Sequence, residues 1–156
     1  MNSCIKVRLK GLILLSVFTI CSIGIRAATQ TVSCSAAALI TAINTANGNV
    51  DHDTITLSSA CIYNFTSVDN YIYGPNALPV ISSEITIIGN GATIYRNTST
   101  KFRFFFVDTN GTLLIDDLTL KNGNTIGGTG GAGTQTSAGG GGGAGMGGAV
   151  FSKGNF

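Results

Sequence analysis

Apolar residues recur at helical spacing in one stretch of the chain, "CSAAALITAINTANGN". They fall three and four residues apart, which places them on one face of an α-helix. The positions are Ala36, Leu39, Ile40, Ile43 and Ala46. Ser33 or Ser35 can cap the first turn, and Asn47 followed by Gly48 can end the helix. The pattern predicts a helix over residues 35–47 that packs its apolar face against the rest of the chain.

After this stretch the apolar residues come in short bursts rich in β-branched and aromatic side chains, separated by Gly, Asn and Asp. Bursts of this kind predict short strands joined by turns. The predicted strands are 54–57, 61–65, 71–73, 78–81, 84–89, 92–95, 102–107, 112–115 and 118–120. Many short strands are typical of a sandwich, a barrel or a β-solenoid.

Two of these segments resemble each other. "ITIIGNGATI" begins at Ile85 and "LLIDDLTLKNG" begins at Leu113, and each contains a strand, a short polar turn and a second strand. The offset of 28 residues from Ile85 to Leu113 is near the number of residues in one coil of a parallel β-helix. In that fold the stacking of neighbouring coils supplies the core. The repeat favours a solenoid over a sandwich.

The N-terminal segment has the composition of a targeting signal. Three basic residues and no acid precede the apolar run "GLILLSVFTICSIGI", which is followed by small residues. The run is short for a membrane span, so it predicts a secretory signal peptide over residues 1–27, cleaved after Ala27 or Ala28. An uncleaved anchor is the alternative, and a lipoprotein at Cys21 is disfavoured because Ile20 stands where a small residue is expected. We expect the mature protein to be secreted or at the cell surface, outer membrane or extracellular.

Removal of the signal changes the charge balance. The whole chain carries a formal charge of +2, but four of its nine cations lie within the predicted signal and none of its seven acids does. The mature chain then has five cations against seven acids, a formal charge of −2. A nucleic-acid partner is not expected, because a basic stripe is missing from the sequence.

The cysteines divide in the same way. Cys4 and Cys21 lie in the predicted signal, which leaves Cys34 and Cys61 for the mature chain. Exported proteins fold in oxidising compartments where disulfides persist, so we predict a bridge between Cys34 and Cys61. Two free buried thiols are the alternative.

Two pairs of charged residues are candidates for a polysaccharide site. Asp116 and Asp117 offer carboxylates for general acid–base catalysis or for binding a calcium ion, although a simple turn is the preferred explanation for them. Lys101 and Arg103 flank aromatic residues in "KFRFFF" and suit sugar binding or the cationic base of a lyase. Their alternative is a plain strand with one aromatic face, formed by Phe102, Phe104 and Phe106.

Neither a metal nor a cofactor is expected. The "DHD" at 51–53 would need a further histidine or thiolate to make a strong zinc site, and the chain has one histidine, so a solvated turn is the preferred interpretation. Two G-x-G-x-x-G matches lie within the Gly-rich stretch 127–148, but neither opens a helix, as a nucleotide site requires. The stretch also lacks the period of collagen. We expect a flexible insertion loop.

The order of the phrases "ALITAINTAN", "DTITL", "YGPNALPVISSEITIIGNGATIYR", "FRFFFVDTNGTLLIDDLTLKNGN" and "GGAVF" resembles the N-terminal part of secreted right-handed parallel β-helix proteins. This is the pectin-lyase-like fold of bacterial surface and polymorphic-outer-membrane-protein-like chains. The resemblance implies an N-terminal cap over 28–50 with its helix at 35–47, coils over 51–126, the loop 127–148, and a further coil from 149 to 156. It implies these coil strands: Asp53–Leu57, Ile85–Ile88, Ala92–Tyr95, Phe104–Val107, Leu113–Ile115 and Leu118–Leu120.

The sequence therefore predicts an all-β fold, a right-handed parallel β-helix with an N-terminal capping α-helix, which we expect to continue beyond residue 156. The expected function is that of an exported, non-enzymatic surface protein, either a stalk or adhesin-like. Host or cell-surface glycans or proteins are the expected partners, and contact with a membrane is expected only through export or a C-terminal anchor. The alternatives are a polysaccharide lyase or glycoside hydrolase on the same fold, and a Gly-rich matrix protein.

Overall fold

The computed structural model describes residues 27–132 and 140–156. The predicted signal peptide, apart from Ala27, lies outside the described residues, and so does the centre of the Gly-rich stretch, 133–139. The described chain contains one helix and seven strands. They are β1 Thr29–Val32, α1 Ala36–Ala46, β2 Asp53–Leu57, β3 Ile62–Phe65, β4 Glu84–Arg96, β5 Phe105–Val107, β6 Thr112–Lys121 and β7 Val150–Ser152.

Every pairing between these strands is parallel. β1, β2 and the first halves of β4 and β6 lie side by side and form what we call the first row. Each pass of the chain returns to an equivalent position on the neighbouring strand of this row. These positions are Thr29, Thr54, Thr86 and Leu114. Parallel pairing over such long connections is typical of stacked coils and excludes the hairpins of an antiparallel sandwich.

Two further rows continue around the molecule. The second half of β4 pairs with β3 on one side and with the second half of β6 on the other. A separate pair, β5 and β7, is extended by a parallel bridge from Ile81 to Val107. The fold is all-β with one helix, and its sheet is curled, parallel and solenoid-like, in agreement with the predicted fold class at this level.

β4 and β6 are longer than the sequence predicts because two expected turns are bulges within strands. Asn90 and Gly91 have φ of 51° and 72°, and Asp117 has φ of 47°. The left-handed residues shift the register between Ile88 and Ala92, yet the pairing of β4 with β6 resumes beyond them. The chain bends at this point, and its strand pairing continues on both sides of the bend.

The core lies inside the curled sheet and under the helix. Alternate residues of β2 are buried, and α1 buries Leu39, Ala42, Ile43 and Ala46. α1 contacts β1, β2 and β3, so it covers the N-terminal end of the strand stack. The predicted helix is confirmed, with Ser35 as the N-cap and Asn47 as the C-cap.

Three predicted strands are wrong or too long. Residues 71–73 form part of an exposed turn, and 78–81 contribute only the bridge at Ile81. Of 102–107, only the last three residues form a strand. Apolar side chains alone do not separate a strand from a packed loop, because both bury the same kind of surface.

The predicted disulfide between Cys34 and Cys61 is present, with a Cα–Cα distance of 5.8 Å. Cys34 lies two residues before α1 and Cys61 lies one residue before β3. The bond therefore ties the helix to the second row of strands. Among the described residues, no helix has the length and apolarity that crossing a membrane requires.

Candidate functional site

A surface depression on the side of the stack, which we call the side groove, has a volume of about 670 Å³. It runs between the loop that precedes β4, the segment that precedes β5, and the beginning of the Gly-rich stretch. Its walls include Tyr71, Pro75, Ser99, Lys101, Ile126 and Thr129. An exposed aromatic ring, hydroxyl groups and one cation thus line the same depression.

A buried asparagine shapes one wall of the side groove. The amide nitrogen of Asn76 lies 2.7 Å from the side-chain oxygen of Asn70 and 2.9 and 3.0 Å from the carbonyls of Ile72 and Gly74. These contacts tie the turn together from inside. Tyr71, in the same turn, is 75% exposed at the rim of the groove.

The two cations of "KFRFFF" lie in different environments. Lys101 is exposed in the side groove, whereas Arg103 is 1% exposed. The Arg103 guanidinium donates to the carbonyls of Tyr73 and of Met146, the latter at 2.9 Å, and lies over the ring of Phe151. Burial lowers the pKa of Arg103 from its ordinary value. The two candidates are therefore not combined in one site.

The predicted alternation of aromatic and charged faces in this segment is wrong. Residues 102–107 are all buried, including Phe105 and Arg103. β5 begins only at Phe105, and the turn around Tyr73 and the segment around Met146 cover the outer side of Arg103. Because both faces are covered, exposure does not alternate.

Asp116 and Asp117 are exposed at the bulge of β6 and lie outside the residues that line the side groove. The structure therefore brings neither aspartate to Lys101. Asp117 takes the left-handed conformation in which Asn and Asp are common, which gives it a local structural role.

The residues of the "DHD" segment also lie in different environments. The Nε2 of His52 lies 2.7 Å from the Oγ1 of Thr86, and its Nδ1 lies 3.8 Å from a carboxylate oxygen of Glu84. Asp53 is fully buried at the start of β2, so the prediction of a solvated turn is wrong for this residue. Within 27–132 and 140–156 there is no cluster of three metal-binding side chains.

An aromatic cluster that the sequence did not reveal lies next to Arg103. The rings of Tyr73 and Phe106 are 5.2 Å apart, and those of Phe106 and Phe151 are 5.7 Å apart and stacked. The Lys153 ammonium lies 4.4 Å from the centre of the Tyr73 ring and donates to its hydroxyl at 2.9 Å. This bond raises the pKa of Lys153. The clue in the sequence was the aromatic "YIY", which we assigned to a strand.

The Gly-rich stretch forms the remaining wall of the side groove. Its two described limbs lie together, since the amides of Gly140 and Gly143 donate to the carbonyls of Gly131 and Gly128 at 3.0 and 2.8 Å. The chain makes a longer excursion between the paired strands β5 and β7 than between Ile81 and its bridge partner Val107. The stretch thus lengthens one connection of the stack and adds a surface beside Lys101.

Comparison with known proteins gives no relative for this arrangement. No family model, no curated protein and no solved structure matches the chain. The geometry of the side groove and the fold that holds it therefore carry the functional conclusion.

Proposed function

We propose that this chain is an exported, non-enzymatic right-handed parallel β-helix protein, adhesin-like, whose side groove binds acidic polysaccharide at a cell surface. The observation that carries the proposal is the meeting of exposed Tyr71 and Lys101 in one groove on the side of a stack of parallel strands. The β-helix is the proposed form of the stack.

The spacing of the strands supports a β-helix. The chain returns to its first row at steps of similar length, from Thr29 to Thr54, Thr86 and Leu114, and a comparable step joins Ile81 to Val107 in another row. Strands in three rows, visited by successive passes of the chain, are the arrangement of stacked coils. α1 then serves as the cap of the N-terminal end, where unpaired backbone groups need a cover.

The chemistry of the side groove supports an acidic sugar as the ligand. The Tyr71 ring offers an apolar face with a polar tip, and the hydroxyls of Ser99 and Thr129 offer both donors and acceptors. Lys101 is the charged side chain among the groove residues, so the local charge is positive on a mature chain that is acidic overall. Uronic acid residues match this combination of apolar ring face, hydroxyls and carboxylate.

The placement of the other charged candidates supports binding over cleavage. Arg103 is buried among backbone carbonyls and Phe151, away from the groove surface. Asp116 and Asp117 lie on β6, outside the groove. Glycoside hydrolysis by the usual route needs two carboxyl groups facing each other about 5 to 10 Å apart across the substrate. A lyase would have to act through Lys101 without Arg103 beside it.

Export is supported by the predicted signal peptide and by the disulfide between Cys34 and Cys61, because disulfides persist in oxidising compartments. A stack of coils held at one end by a cap and a disulfide is suited to carry a binding surface away from the cell. The role as a stalk and the role as an adhesive surface are then two properties of one fold.

The test is calorimetric titration of the secreted protein with polygalacturonate and with a neutral polysaccharide. We expect binding of the acidic polymer only, weakened at least tenfold by Lys101→Gln and by Tyr71→Ala. Lys121→Gln is the matched control, because Lys121 is exposed on β6 outside the groove and its substitution removes the same charge. Equal weakening by the two lysine variants would show non-specific attraction, and release of unsaturated uronates would show a lyase.

A further inference from the structure

Asp53 presents a buried carboxylate with an incomplete set of partners. It is the first residue of β2, on the same buried face as Ile55 and Leu57, and it is 0% exposed. Its Oδ1 accepts a hydrogen bond, but its Oδ2 has no partner within the described part of the chain. No lysine or arginine of residues 27–132 and 140–156 pairs with it. A buried charge of this kind is costly unless a cation and further hydrogen bonds compensate it.

The donor to Asp53 is the backbone nitrogen of Ala28, at 2.7 Å. This distance suits a hydrogen bond to a carboxylate from either an amide or an ammonium nitrogen. Ala28 is also held on its other side, since its carbonyl accepts from the amide of Thr54 at 2.9 Å. Its nitrogen is therefore positioned by the pairing of β1 with β2.

Ala28 also lies at the predicted end of the signal peptide. We propose that export cleaves the chain between Ala27 and Ala28, and that the α-ammonium group thereby formed is the cationic partner of Asp53. A peptidase of the export machinery hydrolyses the bond. Water supplies one oxygen and two hydrogens, and the products are the carboxylate of Ala27 and the ammonium of Ala28, with no net release of protons when both groups are charged.

Cleavage at this bond supplies the positive charge and the additional N–H donors that the Asp53 carboxylate lacks. The amide of an intact chain has one N–H, which Oδ1 already accepts, whereas an ammonium has three and can serve both carboxylate oxygens. Cleavage one residue later, after Ala28, would remove the donor that the structure places beside Asp53. Within residues 27–132 and 140–156, an uncleaved chain offers Asp53 no lysine or arginine partner. The contact of Asp53 with the Ala28 nitrogen thus favours cleavage after Ala27 over cleavage after Ala28.

The nearby titratable groups do not replace this pair. His52 and Glu84 contact each other, with side chains 44% and 54% exposed, and so interact outside the core. Asp51 is a carboxylate like Asp53 and brings no positive charge, and its own amide donates to the side-chain oxygen of Asn49. Cleavage by an export peptidase rests on the proposed export of the chain, and it is independent of the proposed sugar ligand.

The first test is mass spectrometry of the full chain expressed with its own leader in a secreting host. We expect Ala28 as the first residue of the secreted protein. A chain that begins at Thr29, or one that keeps its leader, would overturn the proposal.

The second test measures the ion pair by acetylation of amines at neutral pH. A free α-amino group has a pKa of about 8 and is normally the most reactive amine of a chain, but pairing with Asp53 keeps it protonated. We expect the Ala28 amine to react at least tenfold more slowly in the folded protein than in urea, and Asp53→Asn to abolish the difference. Asp51→Asn is the matched control and should keep it. If Asp53→Asn fails to fold, equal reactivity of wild-type protein in buffer and in urea would still refute the pair.

Discussion

The guanidinium carbon of Arg103 lies 5.1 Å from the centre of the Phe151 ring, although the two residues are far apart in the sequence. Arg103 precedes β5 and Phe151 is the middle residue of β7, so their contact joins two successive passes of the chain. The carbonyls of Tyr73 and Met146 complete the environment of the guanidinium. One buried cation thus contacts the turn before β4, the strand β7 and the far limb of the Gly-rich stretch.

Arg103→Met should lower the free energy of unfolding by about 2 to 3 kcal/mol, because the carbonyls of Tyr73 and Met146 lose charge-assisted donors. The measurement is urea denaturation followed by circular dichroism. Lys101→Met is the control and should change stability by less than about 0.5 kcal/mol, since Lys101 is exposed. Equal stability of Arg103→Met and wild type would mean that relief from burying the charge offsets the lost bonds.

The disulfide joins Cys34 and Cys61 at a sequence separation of 27. A chain-entropy model assigns a cross-link of this length about 3.5 kcal/mol. We expect the double variant Cys34→Ala/Cys61→Ala to lose roughly this amount in urea denaturation. Wild type treated with a reductant should behave in the same way. If reduction does not lower stability, the cap must be held by the packing of α1 alone.

Asn47 connects the end of α1 to the chain before β4. Its side chain donates to the carbonyl of Val80 at 2.7 Å and accepts from the amide of Ser82 at 2.9 Å. Asn47→Asp should cost about 1 to 3 kcal/mol, because the carbonyl loses its donor and the new charge lies at a helix C-terminus. Asn44→Asp is the control. It places the same charge near the end of the helix on its exposed face, but it removes no hydrogen bond to Val80. Similar losses in the two variants, measured by urea denaturation, would refute the role of the Val80 contact.

Gly111 lies where successive passes of the chain approach closely. A Cβ at this position would be 2.2 Å from the carbonyl oxygen of Ile81, a backbone atom that cannot move aside cheaply. Gly111→Ala should therefore destabilise the protein by about 1 to 3 kcal/mol, measured as a lower midpoint of thermal unfolding. Gly141→Ala places the same methyl group in open space and should be neutral. Tolerance of both changes would mean that the stack can open at Gly111.

The pKa of Lys153 is raised chiefly by its hydrogen bond to the Tyr73 hydroxyl. Tyr73→Phe should return this pKa towards the ordinary lysine value, as measured by NMR titration of the side-chain carbon next to Nζ. Because the folded pKa is the higher one, the stabilisation is complete below the ordinary value of about 10.4 and is lost as the pH rises through the raised pKa. Tyr95→Phe, which leaves Tyr73 in place, is the matched control and should leave the pKa of Lys153 unchanged.

The helix and the repeat of strands were predictable because each leaves a pattern along the sequence, the helix in residue spacing and the repeat in two similar segments. Side chains three and four residues apart share a helix face in any context, so α1 was predicted to within one residue at each end. The offset between the two similar segments, from Ile85 to Leu113, is the step at which β4 and β6 pair. The Cys34–Cys61 bridge followed from the number of cysteines outside the predicted signal peptide.

The side groove was predictable only in part. Lys101 was identified from its aromatic neighbours, and it does line the groove. Arg103, two positions further on, was assigned to the same surface, but segments distant in the sequence bury it. Tyr71 was not identified, because the aromatic segment predicts a strand, whereas the chain forms a turn closed by the hydrogen bonds of Asn76.

By itself, the sequence determined the local elements, the repeat length and the pairing of cysteines, since each follows from the spacing or the number of residues along the chain. Only the tertiary structure decided which charged groups are buried. Asp53 follows Asp51 by two residues and Arg103 follows Lys101 by two residues, yet both are covered by segments that meet only when successive passes of the chain stack. The cost of burying a charge is set by the atoms that surround it in space, and the parallel register of the strands selects those atoms.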